Sequence, residues 1–199
     1  MGLRTPLYNA HEEAGAKMVP FGDWDMPLHY GSQVEEHHAV RQDCGIFDVS
    51  HMLVVDLTGE QVEPFLRYLL ANDVAKVSGE GGRALYTCMC NPDGGVIDDL
   101  IVYAMEPGWF RMVVNSSRRE TDTDWIRSVR DEHFSDVEIA ERQDLALIAV
   151  QGPQAEGLVT GLLDEAAAGA LNALRGFQAA VVGTPFGDLF VGKTGYTGE

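Results

Sequence analysis

Two apolar runs, Ala84–Cys90 and Val96–Met105, are separated only by Asn91-Pro92-Asp93-Gly94-Gly95, and this spacing restricts the fold more than any other feature. Both runs are rich in strand-forming residues, and the five between them are turn formers, a strong hairpin signal. Strands joined by so short a connection pair antiparallel. The neighbouring segments extend the pattern. Met52–Leu57 alternates like a strand and stops at Thr58-Gly59, while Glu60–Ala71 carries Val62, Phe65, Leu66 and Leu69 at helical spacing. Trp109–Asn115 reads as a further strand, Arg118–Arg130 as a helix and Val137–Glu141 as a strand. This order predicts an α+β fold of mainly antiparallel sheets with helices on one face.

The flanks are less regular. The first 50 residues mix turn signals (Gly22, Pro27, Gly31) with aromatics and read as loops around short elements. One helix is expected there, over Gln33–Asp43, with Ser32 as N-cap and Glu35 at capping-box spacing. Beyond residue 144 the reading is a strand, Leu145–Gln151, ended by Gly152-Pro153, and a helix over Gln154–Leu163. An Ala-rich segment runs to about Leu174, and two closing strands follow, Ala179–Thr184 and Asp188–Lys193. The final Gly195-Tyr196-Thr197-Gly198-Glu199 resembles neither a cap nor a solvated tail, so the chain reads as truncated.

Charge and cysteine usage narrow the function classes. A net charge of −17, from 31 acidic and 14 basic residues, repels phosphate backbones and argues against nucleic-acid binding. No apolar run approaches the roughly 18–20 residues needed to span a bilayer, and the N-terminus lacks a signal-peptide core. A cytoplasmic protein with no membrane partner is the expectation. Three cysteines cannot all pair internally, which suits a reducing compartment.

Several motifs have ordinary explanations. Residues 187–194 spell a Walker A pattern, but Asp-Leu-Phe-Val fills the middle and a Gly-Tyr-Thr-Gly turn follows, so a strand is expected. His37 and His38 point about 100° apart on a helix, and Cys88 with Cys90 lacks a second ligand pair, so no metal site is expected. Ser50-His51 are neighbours, the wrong geometry for a relay. Asp98-Asp99 is different, because it interrupts a strand made of Val96, Ile97, Leu100, Ile101 and Val102. Neighbours on a strand face opposite sides, so if one aspartate meets solvent the other meets the interior or a cavity. An interior carboxylate needs a partner and is often functional. The alternative is that both are solvated at a strand end, and residue chemistry leaves the two readings level.

Six segments, in order, resemble the signature segments of the aminomethyltransferase (T-protein) family of the glycine cleavage system. They are Thr5–Tyr8, Pro27–Tyr30, Phe47–Met52, Gly94–Leu100, Gln151–Pro153 and Thr194–Glu199, and Tyr68–Lys76 looks especially like bacterial members. The resemblance implies a folate-binding aminomethyltransferase fold lacking the family's C-terminal β-barrel domain. It divides the chain into residues 1–51, the N-terminal part of the folate-binding domain; 52–143, a ferredoxin-like α+β subdomain; and 144–199, a truncated return to the folate-binding domain.

The implied reaction moves a one-carbon unit from the aminomethyl-lipoyl arm of a partner, the H-protein, to tetrahydrofolate, with release of ammonia. The implied catalytic residue is Asp99, near the folate N10. Tyr86, Asn115 and Tyr196 are implied to contact folate, and Met52 to pack on its rings. For Tyr86 an ordinary strand aromatic is the alternative. Family members continue past Glu199 with a folate-binding glutamate, a later arginine and the barrel, so this chain alone is expected to bind folate weakly and turn over little. Rival readings are a dehydrogenase-associated folate domain, a non-enzymatic folate-binding protein such as the iron–sulfur assembly relatives, and an interaction-only protein.

Overall fold

The hairpin read from residues 84–105 forms the middle of a computed structural model that describes residues 2–195. Strands β5 (Arg83–Cys90) and β6 (Val96–Glu106) pair antiparallel from Arg83↔Ala104 through Met89↔Asp98. Asn91 organises their turn, its Oδ1 accepting from the N–H groups of Asp93 and Gly95 at 3.1 and 2.8 Å. Gly94 closes the turn at φ +82°, a conformation that side chains resist. Strand β7 (Trp109–Val114) pairs with the far edge of β6, β4 (Leu53–Thr58) with β7, and β8 (Glu138–Glu141) with β4, all antiparallel. On the other side, β10 (Gln178–Thr184) and β11 (Gly187–Lys193) form a hairpin that joins β5 through Gln178↔Arg83. The sheet order is β11-β10-β5-β6-β7-β4-β8.

Alternation along these strands gives the sheet two different faces. Leu53, Val55 and Leu57 of β4, with Val102 of β6 and Met112 of β7, turn toward helices α3 (Val62–Leu69) and α4 (Arg119–His133). Phe65, Leu66 and Ile126 complete that core with no exposed surface. Each such side chain contributes about 1.5–3 kcal/mol of burial. The second face carries Val54, Ala84, Tyr103 and Val113, against which Leu145, Leu147, Ala179 and Phe190 pack. That cover stops short of Tyr86, which stays 56% exposed. The α+β class with mainly antiparallel sheets, expected from the element order, is the architecture observed.

The first 50 residues hold more structure than loops around short elements. Helix α1 (Tyr8–Glu13) is followed by a two-stranded ribbon, β1 (Lys17–Phe21) with β2 (Trp24–His29), and then by α2 (Gln33–Gln42). Pro20 and Pro27 lie inside β1 and β2. Proline cannot donate to a ladder, so it hides a strand pattern, yet an edge of a two-stranded ribbon tolerates it. Ser32 caps α2 as expected, its Oγ accepting from the Glu35 N–H at 3.3 Å. Buried His11 ties this region to β3 (Gly45–Asp48): its Nε2 is 2.9 Å from Asp48 Oδ2, and its Nδ1 is 2.7 Å from the Tyr30 hydroxyl. Strand β3 pairs with β9 (Ile148–Gln151), and helices α5 (Ala155–Gly161) and α6 (Glu165–Ala173) follow. The Ala-rich segment thus contains a helix, capped by Asp164, whose carboxylate accepts from the Ala167 N–H at 2.9 Å. Among the described residues no helix is long and apolar enough to cross a membrane.

Gly82 makes the junction between β5 and β10 possible. It sits at φ +80°, its N–H donates to the Ala104 carbonyl at 2.6 Å, and its own carbonyl accepts from Ala179 at 2.6 Å. A Cβ there would stand 2.0 Å from the Ala179 oxygen. Gly82→Ala should therefore cost at least about 2 kcal/mol in a urea titration and lower amide protection at Ala179. Unchanged stability and protection would refute this account of the junction.

Candidate functional site

Because β6 pairs with β5 through Asp98 and Asp99, adjacent side chains there are committed to opposite faces. Asp98 points to the helix side and is buried at 8% exposure, while Asp99 lies on the opposite side and is half-buried. The reading in which both aspartates are solvated at a strand end does not hold. The β5–β6 register sets Cys88 opposite Asp99 and Tyr86 opposite Ile101, so Tyr86 is the diagonal neighbour of Asp99 on that face. Its hydroxyl donates a short hydrogen bond to Asp99 Oδ2. Asn115, just past the end of β7, donates from Nδ2 to Asp98 Oδ1 and to the Asp99 carbonyl oxygen, both at 3.0 Å. Met52, just before β4, packs against the apolar cluster of the same face. Three of the expected site residues, Asp99, Tyr86 and Asn115, are thus joined by direct hydrogen bonds, with Met52 on their side of the sheet. Tyr196 lies outside the described residues.

The electrostatics of this face follow from its partners. The hydrogen bond to Asp99, more than partial desolvation, raises the Tyr86 phenol above its ordinary pKa. Further along the face, Arg111 Nε and Nη2 grip Asp56 Oδ1 and Oδ2 at 2.7 and 2.8 Å, and Arg142 Nη1 reaches Oδ2 at 2.6 Å. Burial alone would raise the Asp56 pKa, but the hydrogen bonds from Arg111 and Arg142 outweigh it and hold the carboxyl below the usual range. The Arg111 guanidinium also lies 4.9 Å from the centre of the Phe190 ring, bracing β7 against β11.

Asp122 of α4 escaped the sequence reading. It has no exposed surface, and its pKa is pushed up to about 8, first by burial and then by the neighbouring Asp98 carboxyl. A signal was present. Asp122 precedes Ile126 by four residues, on the stripe that Val129 continues toward the core.

The remaining motifs resolve simply. The Walker-like segment is β11, and Lys193 Nζ is 2.8 Å from both carboxylate oxygens of Glu156 rather than facing a helix N-terminus. Among the described residues no group of three or more His, Cys, Asp or Glu side chains could hold a metal. A depression of about 600 Å³ opens on the helix side, lined in part by Asn91, Ile97, Arg118 and Trp125. Asp99, Tyr86 and Met52 do not contribute to its walls.

Comparison with known proteins adds the following. The family model described as the GCVT N-terminal domain matches residues 7–199. The chain is similar to an aminomethyltransferase of Nitrosomonas eutropha, with 54% identity over 195 residues, covering 98% of this chain and 52% of that protein. It is 56% identical over 200 residues to an aminomethyltransferase of Stenotrophomonas maltophilia, covering 100% of this chain and 53% of the relative. The crystal structure of glycine cleavage system aminomethyltransferase T from Bartonella henselae matches with a TM-score of 0.85 at 31% identity, over 100% of this chain and 52% of that one. The chain spans about half the length of the curated relatives it matches.

The Tyr86–Asp99 bond can be tested without any ligand. Tyr86 should titrate above the ordinary tyrosine value of about 10, and Asp99→Asn should bring it back down. Ultraviolet difference titration of the parent and the variant, with Tyr86→Phe identifying the signal, measures both. A Tyr86 pKa insensitive to Asp99→Asn would show that the bond is not formed in solution.

Proposed function

The chain belongs to the GCVT N-terminal domain family, matched over residues 7–199, and from that membership we propose that it forms the folate-facing part of a glycine cleavage system aminomethyltransferase. In the proposed reaction, the carbon of a lipoyl S–CH2–NH2 group on a lipoylated H-protein moves to tetrahydrofolate. Its bonds to sulfur and to nitrogen break, and bonds to N5 and N10 form. Of the two folate N–H protons, one ends on the lipoyl thiol and the other on departing ammonia, giving 5,10-methylenetetrahydrofolate. Tetrahydrofolate is the acceptor substrate, and no metal takes part in this scheme.

The observation that carries the reading is the Asp99 carboxylate, hydrogen-bonded by the exposed Tyr86 hydroxyl and backed by Asn115 at the uncovered end of the second sheet face. The donor set suits a folate. Tyr86 offers an aromatic surface for a flat ring, Met52 an adaptable thioether against it, and Asn115 an amide for a polar edge. A carboxylate beside N10 orients the ring and stabilises positive charge on the one-carbon unit as it is captured. That is electrostatic assistance more than bulk proton transfer. Tyr196 belongs to the same proposal through the family resemblance alone.

The test uses Asp99→Asn in a protein of the relatives' full length that carries this sequence, assayed with aminomethyl-loaded H-protein and tetrahydrofolate. Loss of a positioned charge of this kind should lower kcat/KM about 100-fold or more, with Tm within about 3 °C of the parent. An intact kcat/KM would remove Asp99 from the chemistry.

A further inference from the structure

Beneath Asp99, on the helix-covered side of the sheet, two carboxyl groups meet inside the core. Asp122 of α4 is fully buried and Asp98 of β6 nearly so, and after burial the Asp98 carboxyl is what most raises the pKa of Asp122. Asp98 Oδ1 accepts from Asn115 Nδ2 at 3.0 Å. Asp98 Oδ2 and both Asp122 oxygens are buried without a hydrogen-bond partner among the described residues. Ionised carboxylates only accept hydrogen bonds, so two in contact away from water stay together only when one supplies a proton. One proton held between them relieves both carboxyls and leaves a single negative charge. Asn115 Nδ2 donates at the same time to the Asp99 carbonyl oxygen at 3.0 Å, so this amide links the buried pair to the backbone that presents Asp99.

We propose that Asp122 is a positioning residue for the folate-facing site: by sharing one proton with Asp98 it seats Asn115, and through Asn115 it fixes the backbone at Asp99. This rests on the assignment of Asp99 to folate made above. Loss of the proton leaves two like charges in contact without water, which pushes the carboxyls apart and unseats the amide that straddles Asp98 and Asp99. The charged groups that bear on Asp122 come from two directions. Asp98 and Asp99 of β6 favour its protonated form, as burial does, whereas Arg118, immediately before α4, favours ionisation. The net value is about 8. It exceeds the unfolded carboxylate value of about 4, so the folded chain holds an extra proton between the two. This contribution to stability is complete below about pH 4 and lost as pH rises through about 8.

The coupling is testable by carbon-detected NMR of the Asp98 and Asp122 carboxyls and of the Asn115 side-chain amide, from about pH 5 to about pH 9.5. Asp122 should titrate near 8, and the Asn115 amide resonances should move at the same midpoint. Tetrahydrofolate affinity of a protein of the relatives' full length that carries this sequence, measured by calorimetry, should fall about tenfold between pH 7 and pH 9, the factor given by strict coupling to one such group. Asp122→Asn, whose amide supplies hydrogen at every pH, should abolish both the fall in affinity and the step at Asn115. A pair that titrates wholly in the ordinary carboxylate range, Asn115 resonances flat through pH 8, or an unchanged fall in the variant would each overturn the proposal. Should the variant not fold, the parent's NMR titration decides alone. Failure of tetrahydrofolate to bind at any pH sinks the folate reading, while the carboxyl and amide titrations still decide the coupling.

Discussion

Strand β6 pairs with β5 through Asp98 and Asp99, and adjacent side chains of a strand point to opposite faces. Two neighbouring aspartates therefore cannot both reach the open face. Presenting Asp99 there obliges Asp98 to enter the helix-covered core, where an uncompensated carboxylate is costly. Asn115 meets part of that cost with an amide hydrogen bond, and in the proposed arrangement Asp122 meets the rest with a shared proton. The polar cluster inside an otherwise apolar layer is thus a consequence of where Asp99 has to be. Leu100, Val102, Met112 and Ile126 around it keep water away, which strengthens each of these contacts.

The second face of the sheet is divided by what lies over it. Phe190, Ala179, Leu145 and Leu147 pack on Tyr103, Val54 and Val113, and the Asp56–Arg111–Arg142 cluster holds β4, β7 and the segment after β8 together beneath them. The ion cluster has few uncompensated charges, so it suits a bracing role better than recognition of a charged ligand. The β10–β11 hairpin reaches this position only through the close approach at Gly82. Beyond the cover, Tyr86 and Asp99 remain accessible among the described residues, and the proposed folate face is this uncovered remainder.

Much of this was legible from local pattern. The 84–105 hairpin, the α3 and α4 helices, the Ser32 cap and the strand character of the Walker-like segment all follow from spacing within a dozen residues, over which alternation and turn chemistry act directly. The ribbon of β1 and β2 was hidden by Pro20 and Pro27, whose cost depends on whether a strand edge is free, a fact of assembly rather than of sequence. The α6 helix was hidden because its Ala-rich stretch has little amphipathic pattern to read.

By itself, the sequence determined that Asp98 and Asp99 would diverge, because period-two alternation is a property of the chain. It did not determine which of them would face the interior, and there the family resemblance chose Asp99 as the functional one. The tertiary structure decided the direction, since the packing of α3 and α4 makes one face the core and sends Asp98 into it. It also decided what Asp98 meets. Asn115 lies 17 residues away in the chain and Asp122 on another element, so their convergence depends on strand register and helix docking, which no short-range pattern encodes.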